Sequence, residues 1–229
     1  MKNIIVTGSS GNLGRAVVKK FVAEGYRVSG TVLPGDLLPS EIQDDKFEKT
    51  VVDLLDENSG EKFVAEIVSK HGEVTAAVLT VGGFAQGNIA ATTTADVLKQ
   101  YKLNFETAYN IARPVFMQML KQNNGRIFLI GSKPGLTAEA GNGMVAYGLA
   151  KSLLLRLAEL MNLEAKGKNV VTSVVIPGTI DTPQNRIGMP GADFDNWVRP
   201  EDIASVIHYY CTEEAKALRE PVIKVYGNA

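Results

Sequence analysis

The chain has 229 residues, 45% of them hydrophobic, and a formal charge of −1 from 24 basic and 25 acidic side chains. This composition suits one α/β domain spanning residues 1–229, and the charge indicates neither a nucleic acid nor an acidic membrane surface as partner. The single cysteine, Cys211, excludes an internal disulfide. No apolar run approaches the roughly 18 residues of a membrane span, and the stretch before the first glycines is too short for a signal peptide, so we expect a soluble cytoplasmic protein.

Short β-branched apolar runs alternate with amphipathic segments along the chain. The runs predict strands at Asn3–Thr7, Arg27–Leu33, Lys49–Asp53, Ala76–Val81, Gly125–Gly131, Val170–Ile176 and Val222–Tyr226. The amphipathic segments predict helices at Leu13–Glu24, Glu57–Lys70, Thr94–Lys121, Val145–Lys166 and Pro200–Cys211. This alternation is typical of a Rossmann-like, doubly wound parallel sheet, here of about seven strands, with helices on both faces. The polar segment Pro34–Phe47 predicts only a short helix.

Glycines follow the first predicted strand at regular spacing. Gly8, Gly11 and Gly14 stand three residues apart in the stretch Val6–Ala16. One interpretation is a tight turn, since glycine tolerates positive φ. The other is a phosphate site, because a strand that turns through glycines into a helix presents free backbone N–H groups. Ligands of doubly wound sheets bind beyond the carboxyl ends of the strands, which favours a dinucleotide here, although the spacing is one residue longer than the usual G-x-G-x-x-G.

A tyrosine and a lysine share one face of a predicted helix. Tyr147 and Lys151 are four residues apart, and Ser132 stands at the end of a predicted strand fifteen residues before the tyrosine. An ammonium beside a phenol stabilises the phenolate, so we expect the pKa of Tyr147 to fall below about 10 and the residue to serve as a general acid or base. In isolation, a pair at this spacing is more often a partly exposed helix face.

Taken in chain order, these motifs resemble the short-chain dehydrogenase/reductase family. The resemblance covers essentially the whole chain and is carried by Thr7-Gly8 through Gly14, Asp53, Asn104, Ser132, Tyr147-x-x-x-Lys151 and Pro177-Gly178. It implies an oxidoreductase that uses NAD or NADP, with no metal, to transfer hydride between nicotinamide and a small carbonyl or alcohol substrate. We expect both histidines, His71 and His208, to be structural.

The resemblance also implies a role for each matching residue. Tyr147 would exchange a proton with the substrate oxygen, Lys151 would lower the pKa of Tyr147 and hold the nicotinamide ribose, and Ser132 would hydrogen-bond the substrate oxygen. Asn104 would support a water-linked proton relay, although alone it fits a capping or helix-bend amide. The implied cofactor contacts are Gly8, Ser10, Gly11, Asn12, Leu13, Gly14, Asp53, Leu54, Gly82, Gly83, Tyr147, Lys151, Pro177, Gly178, Ile180 and Thr182. Asp53 and Pro177-Gly178 could equally be turn residues.

The chain departs from the family pattern at two places. Thr80-Val81-Gly82-Gly83 stands where the family often has Asn-Asn-Ala-Gly, so the amides that would brace the sheet are absent. The end of the second strand, Thr31–Leu33, has neither an acid for the NAD ribose nor an arginine for the NADP phosphate. Asp36 and Arg15 are nearby candidates for either task, which leaves the cofactor preference open.

A narrower resemblance concerns the glycine turn, Val81–Asn88 and Gly178–Trp197, which look like the dihydropteridine reductase branch. That branch reduces quinonoid dihydropterins, and its members typically lack the serine, so Ser132 favours ordinary carbonyl or alcohol chemistry. A catalytically silent nucleotide-binding regulator is a third hypothesis, which the intact Tyr-Lys pair disfavours. In the last of these segments Met189, Phe194 and Trp197 either form an apolar wall for a flat, ring-bearing substrate or only pin the loop.

The helix that begins near Tyr147 carries more apolar residues than one sheet-facing stripe requires. They are Leu153, Leu154, Leu155, Leu157, Leu160, Met161 and Leu163. Successive helical residues point about 100° apart, so this set is wider than one buried face. We therefore expect a homodimer or homotetramer in which this helix and Thr94–Lys121 meet a partner, as the family resemblance also implies.

Overall fold

A seven-stranded parallel sheet forms the centre of the protein. The computed structural model describes residues 1–36 and 44–228. The strands lie in the order β3-β2-β1-β4-β5-β6-β7, and every neighbouring pair is parallel. Their bounds are β1 (Asn3–Thr7), β2 (Arg27–Val32), β3 (Phe47–Val51), β4 (Ala76–Leu79), β5 (Asn124–Ile130), β6 (Asn169–Pro177) and β7 (Val222–Val225). The Rossmann-like fold predicted from the sequence is confirmed.

The described helices are α1 (Asn12–Ala23), α2 (Glu57–His71), α3 (Thr94–Tyr101), α4 (Thr107–Gln122), α5 (Lys133–Leu136), α6 (Val145–Glu164), α7 (Pro183–Gly188) and α8 (Pro200–Tyr209). Predicted ends agree with these to within two residues, apart from one break. The predicted helix Thr94–Lys121 is interrupted by a π-helical turn at Lys102–Glu106, which joins α3 to α4. The short helices α5 and α7 were not predicted. The segment Pro34–Phe47, which could hold only a short helix, includes residues 37–43, which lie outside the described residues.

Both faces of the sheet are covered, which explains why its strands are almost continuously apolar. Consecutive strand residues point to opposite faces. Ile4 and Val6 of β1 belong to a buried cluster with α1 and α8, whereas Ile5 belongs to one with α2, α4 and α6. All three side chains are fully buried. Fully burying such a side chain contributes about 1.5–3 kcal/mol, so the strand pattern is a direct consequence of two-sided packing.

The strand order places a crevice between β1 and β4. The chain runs outward from β1 through β2 to β3 on one side and from β4 to β7 on the other. In open α/β sheets, ligands bind beyond the carboxyl ends of strands at such a switch point. The loops after β1, β4, β5 and β6 all lie at this edge of the sheet.

Two features are absent from the described residues, namely a membrane-spanning helix and a metal-binding cluster. None of the helices there has the length and apolar character that crossing a membrane demands. No group of His, Cys, Asp and Glu side chains in that part of the chain could hold a metal ion.

Candidate active site

Ser132, Tyr147 and Lys151 meet at the carboxyl end of β5. The hydroxyl of Tyr147 is hydrogen-bonded to that of Ser132. The Nζ of Lys151 donates to the carbonyl of Ile130 at 2.7 Å and lies 5.9 Å from the centre of the Tyr147 ring. The four-residue spacing on α6 thus puts both side chains on one helix face, directly above the strand end.

Local sequence explains where Ser132 lies. Ser132 is the N-cap of α5, and its hydroxyl accepts a hydrogen bond from the Gly135 N–H at 3.3 Å. Pro134 occupies the first turn, where its missing N–H costs no hydrogen bond. A side chain at 135 would meet Lys151 Cβ at 2.6 Å, so Gly135 lets α5 approach α6. This packing presents the serine hydroxyl to Tyr147.

Burial controls the ionisation of the tyrosine and the lysine. It raises the pKa of Tyr147, an effect that the hydrogen bond to Ser132 opposes. It also lowers the pKa of Lys151 from 10.5 to about 8. The expectation that Lys151 lowers the pKa of Tyr147 was wrong for this structure, because desolvation of the phenolate is the larger effect. Tyr147 is therefore a neutral phenol at pH 7.

Asn104 lies in the π-helical turn and is completely buried. Its Oδ1 accepts from the N–H of Gly83 at 3.0 Å, and its Nδ2 donates to the carbonyl of the same residue at 3.0 Å. The Nδ2 also donates to Gln100 Oε1 at 2.8 Å. Gln100 was not predicted as a site residue, although its four-residue spacing from Asn104 indicates a shared helix face.

The loop after β4 approaches these side chains closely because it contains glycines. A Cβ at Gly82 would lie 2.6 Å from Asn104 Oδ1 and 3.0 Å from Lys151 Nζ. The bracing that the sequence lacks at Thr80 comes from reciprocal hydrogen bonds with Thr7. Thr80 N donates to Thr7 Oγ1 at 3.1 Å, and Thr80 Oγ1 donates to Thr7 O at 2.6 Å.

The glycine turn after β1 depends on a positive φ and on a close approach between backbones. Gly8 has a φ of +63°, and a Cβ at Gly14 would lie only 2.1 Å from the Gly8 carbonyl oxygen. Gly11 is the N-cap of α1 and has no side chain to bond the first N–H groups of the helix. Those N–H groups lack partners within the helix, which suits the pyrophosphate of a dinucleotide.

Two side chains of this turn contact other loops. Ser10 Oγ donates to Asp36 Oδ2, which also accepts from the Leu33 N–H at 3.0 Å. Both hydrogen bonds lower the pKa of Asp36, and the bond from Ser10 has the larger effect. Asn12 Nδ2 donates to Gln184 Oε1 of α7 at 2.9 Å, so the turn touches the loop after β6. Leu13 is buried and anchors the start of α1.

The other predicted cofactor contacts lie after β3 and β6. Asp53 is exposed and accepts from the Leu55 N–H at 2.9 Å, as a turn residue does, while Leu54 is buried. Pro177 ends β6, and the N–H of Gly178 donates to Val225 at 2.8 Å. Ile180 forms a bridge with Val198, and Thr182 caps α7. Their contacts with a cofactor stay predictions.

The aromatic ring next to the tyrosine is that of Phe84. The two rings are 5.3 Å apart in an edge-to-face arrangement, and Phe84 is 60% exposed. Trp197, for which the sequence left a wall and a loop anchor as alternatives, contacts Phe194 at 4.7 Å between ring centres. Arg186 lies 4.7 Å from the centre of the Phe194 ring and forms a salt bridge with Asp181 at 2.6 Å. The loop after β6 is therefore stabilised by contacts among its own side chains.

Comparison with known proteins identifies the family of the chain. The 3-oxoacyl-[acyl-carrier-protein] reductase FabG of Thermotoga maritima is 23% identical over 99% of this chain and 96% of its own length. An acetoacetyl-CoA reductase from an Acinetobacter species is 26% identical over 80% of this chain and 75% of its length. The solved structure described as ElxO with NADP bound superposes with a TM-score of 0.88 at 23% identity, covering 99% of this chain and 97% of that one. Residues 2–187 match the family described as short chain dehydrogenase. The chain belongs to the short-chain dehydrogenase/reductase family of NAD(P)-dependent oxidoreductases.

Proposed function

We propose that the protein reduces the carbonyl group of a small substrate, with Tyr147 as the proton donor. One observation carries the proposal: the Tyr147 hydroxyl is hydrogen-bonded to Ser132 and lies near the buried Lys151. The bound nicotinamide cofactor supplies the hydride, and the protein supplies position and the proton. The glycine turn and the loops after β4 and β6 border the same crevice, so the cofactor fits beside Tyr147.

Ser132, Tyr147 and Lys151 have separate roles in the proposed reaction. Ser132 can donate to the substrate oxygen and hold it within reach of the Tyr147 O–H. As the oxygen gains negative charge, the phenol proton passes from Tyr147 to it. Lys151, whose buried Nζ donates to the Ile130 carbonyl, is placed to hold the nicotinamide ribose beside Tyr147. Burial raises the pKa of Tyr147, so the residue is in the protonated form that carbonyl reduction requires of a proton donor.

Asp36 supports NAD as the preferred cofactor. Its carboxylate lies beyond β2 and is bonded to Ser10 of the glycine turn, where a Rossmann-type fold places the adenosine ribose. A carboxylate can accept from the ribose 2′-OH of NAD but repels the 2′-phosphate of NADP. NADH should therefore bind more tightly than NADPH, and the salt dependence of the difference should reflect the charge of Asp36.

Phe84 supports a substrate with a ring. An exposed aromatic face beside the proton donor adds about 0.5–1.5 kcal/mol for a stacked ring beyond the area that it buries. Ser132 supports a carbonyl rather than the imine of a quinonoid pterin, since it can hold an oxygen. The dihydropteridine reductase reaction stays a second hypothesis, favoured by the same Phe84.

The test is turnover by the wild type and Tyr147→Phe with NADH and NADPH. The substrates are cyclohexanone, acetophenone, acetoacetyl-CoA and a quinonoid dihydropterin. We expect kcat of the variant to fall by about 10²–10⁴-fold, the contribution of a positioned proton donor. The affinity for NADH, measured by its fluorescence, should stay within about twofold, because the ring of residue 147 remains. Wild-type turnover by the variant would exclude Tyr147 from the mechanism.

A further inference from the structure

Gln100 is a buried glutamine behind the active site. It lies on α3, one turn before Asn104, and is only 4% exposed. Its Oε1 accepts from Asn104 Nδ2 at 2.8 Å, and its backbone carbonyl accepts from the same nitrogen at 3.3 Å. The mechanism above gives Gln100 no task.

The orientation of the Asn104 amide follows from its backbone partner. The Gly83 N–H can only donate, so it must face Oδ1, and the Gly83 carbonyl can only accept, so it must face Nδ2. This leaves Nδ2 one further hydrogen. Gln100 Oε1 is the closer of the two remaining acceptors for it. A buried amide hydrogen without a partner costs about 1–3 kcal/mol, so Gln100 stabilises this arrangement over its alternatives.

The Asn104 amide in turn bounds the space around the lysine. A Cβ at Gly82 would reach both Asn104 Oδ1 and Lys151 Nζ, which shows that these atoms border the same small gap. Gly83 carries both hydrogen bonds to Asn104, and Phe84 follows it directly in the chain. Movement of Asn104 therefore displaces the backbone beside Lys151 and the ring beside Tyr147.

We propose that Gln100 is a positioning residue for the active site: it fixes the Asn104 amide and, through Gly83, the loop beside Lys151 and Tyr147. In this chain it provides a buried amide behind the loop in which the family's usual Asn-Asn-Ala-Gly is replaced by Thr80-Val81-Gly82-Gly83. The catalytic consequence depends on the proposed function. The hydrogen-bond network does not, so the two can fail separately.

Two variants of Gln100 and one control test the proposal. Gln100→Leu removes the acceptor at similar size, and Gln100→Glu restores an acceptor oxygen. The control is Gln122→Leu, which breaks hydrogen bonds to Val74 and Asn124 at 2.7 Å at the opposite edge of the sheet. Amide hydrogen exchange at Gly83 in the NADH-saturated protein is the first readout, and kcat with the best ketone of the panel is the second.

We expect Gln100→Leu to speed exchange at Gly83 by about tenfold and to lower kcat by about the same factor, with little change in KM. Gln100→Glu should recover most of both losses. Gln122→Leu should lower the melting temperature while leaving Gly83 exchange and kcat close to wild type. Unchanged exchange in Gln100→Leu would overturn the network, and faster exchange with an unchanged kcat would overturn the positioning role. If Tyr147→Phe retains full turnover, the proposed function fails while the exchange result still decides the network.

Discussion

The buried ammonium of Lys151 lowers the free energy of unfolding by an amount that depends on pH. Burial lowers its pKa from 10.5 to about 8, so below pH 8 the folded protein holds a desolvated ammonium. Between about pH 8 and 10.5 the folded state releases this proton while the unfolded state keeps it. The unfolded state then binds more protons, and the free energy of unfolding contributed by this group rises with pH.

We therefore predict that the cofactor-free wild type gains stability relative to Lys151→Met as the pH rises from 8 to 10.5. The gain should approach roughly 3 kcal/mol if the whole shift is expressed. Urea unfolding of both proteins across this range measures it. The comparison cancels other titrating groups, because both proteins contain them. A difference that stays constant with pH, or that shifts toward the variant, would contradict the lowered pKa.

At the scale of single residues, the relative positions of the site side chains were more predictable than their pKa values. The spacing of Tyr147 and Lys151 and the position of Ser132 predicted a shared location, which the structure shows. The direction of the tyrosine pKa was not predictable, because it depends on how completely the ring is buried. The role of Gln100 was not predictable for the same reason, because a glutamine on a helix is usually exposed. Its burial becomes apparent only from its tertiary surroundings, where it contacts Asn104.

At the scale of elements, two loops contain aromatic residues, but they differ in what those residues contact. Phe84 lies beside Tyr147 and remains 60% exposed, so it can meet a substrate. Trp197 contacts Phe194. Arg186 lies over the Phe194 ring and forms a salt bridge with Asp181. The segment Gly178–Trp197 is thus stabilised internally, while the loop after β4 offers an open ring.

We predict that Phe84→Leu raises KM for acetophenone by several-fold and leaves kcat/KM for acetone unchanged, because only the ring-bearing ketone loses a stacking partner. Trp197→Leu serves as the matched control. It should reduce kcat/KM for both ketones by similar factors, since it loosens the loop rather than one wall. Selective loss with Trp197→Leu and none with Phe84→Leu would assign the wall to the tryptophan instead.

The main elements were predictable because their apolar periodicity reflects two-sided burial. The π-helical turn at Lys102–Glu106 was not, since its sequence continues the helical pattern on either side. A π turn inserts one residue into the hydrogen-bond ladder and is favoured where tertiary contacts compensate. Here Asn104 gains its bonds to Gly83 in that turn. The short helix α7 depends on local capping by Thr182, a signal too brief for periodicity to reveal.

At the scale of the whole molecule, α6 carries a row of exposed leucines. Leu149, Leu153, Leu160 and Leu163 are 39–70% exposed, and their spacing puts them on one helix face. Leu154 and Met161 on the opposite side are buried in the core. Large apolar residues are also exposed on the preceding helices, at Leu98, Tyr101, Tyr109 and Met117. Exposed apolar surface on this scale is typical of an interaction site.

We predict that a second copy of this chain covers the α6 face, giving a homodimer or homotetramer. Leu153→Glu/Leu160→Glu should shift the mass measured by light scattering at micromolar concentration to that of a monomer, since burying two carboxylates in an apolar interface is unfavourable. Leu218→Glu, at an exposed apolar residue outside these helices, is the matched control and should leave the mass unchanged. A wild type that is already monomeric at this concentration would refute self-association. An oligomer that persists in the double variant would instead place the interface elsewhere, because the glutamates of both copies could not remain buried together between apolar helices.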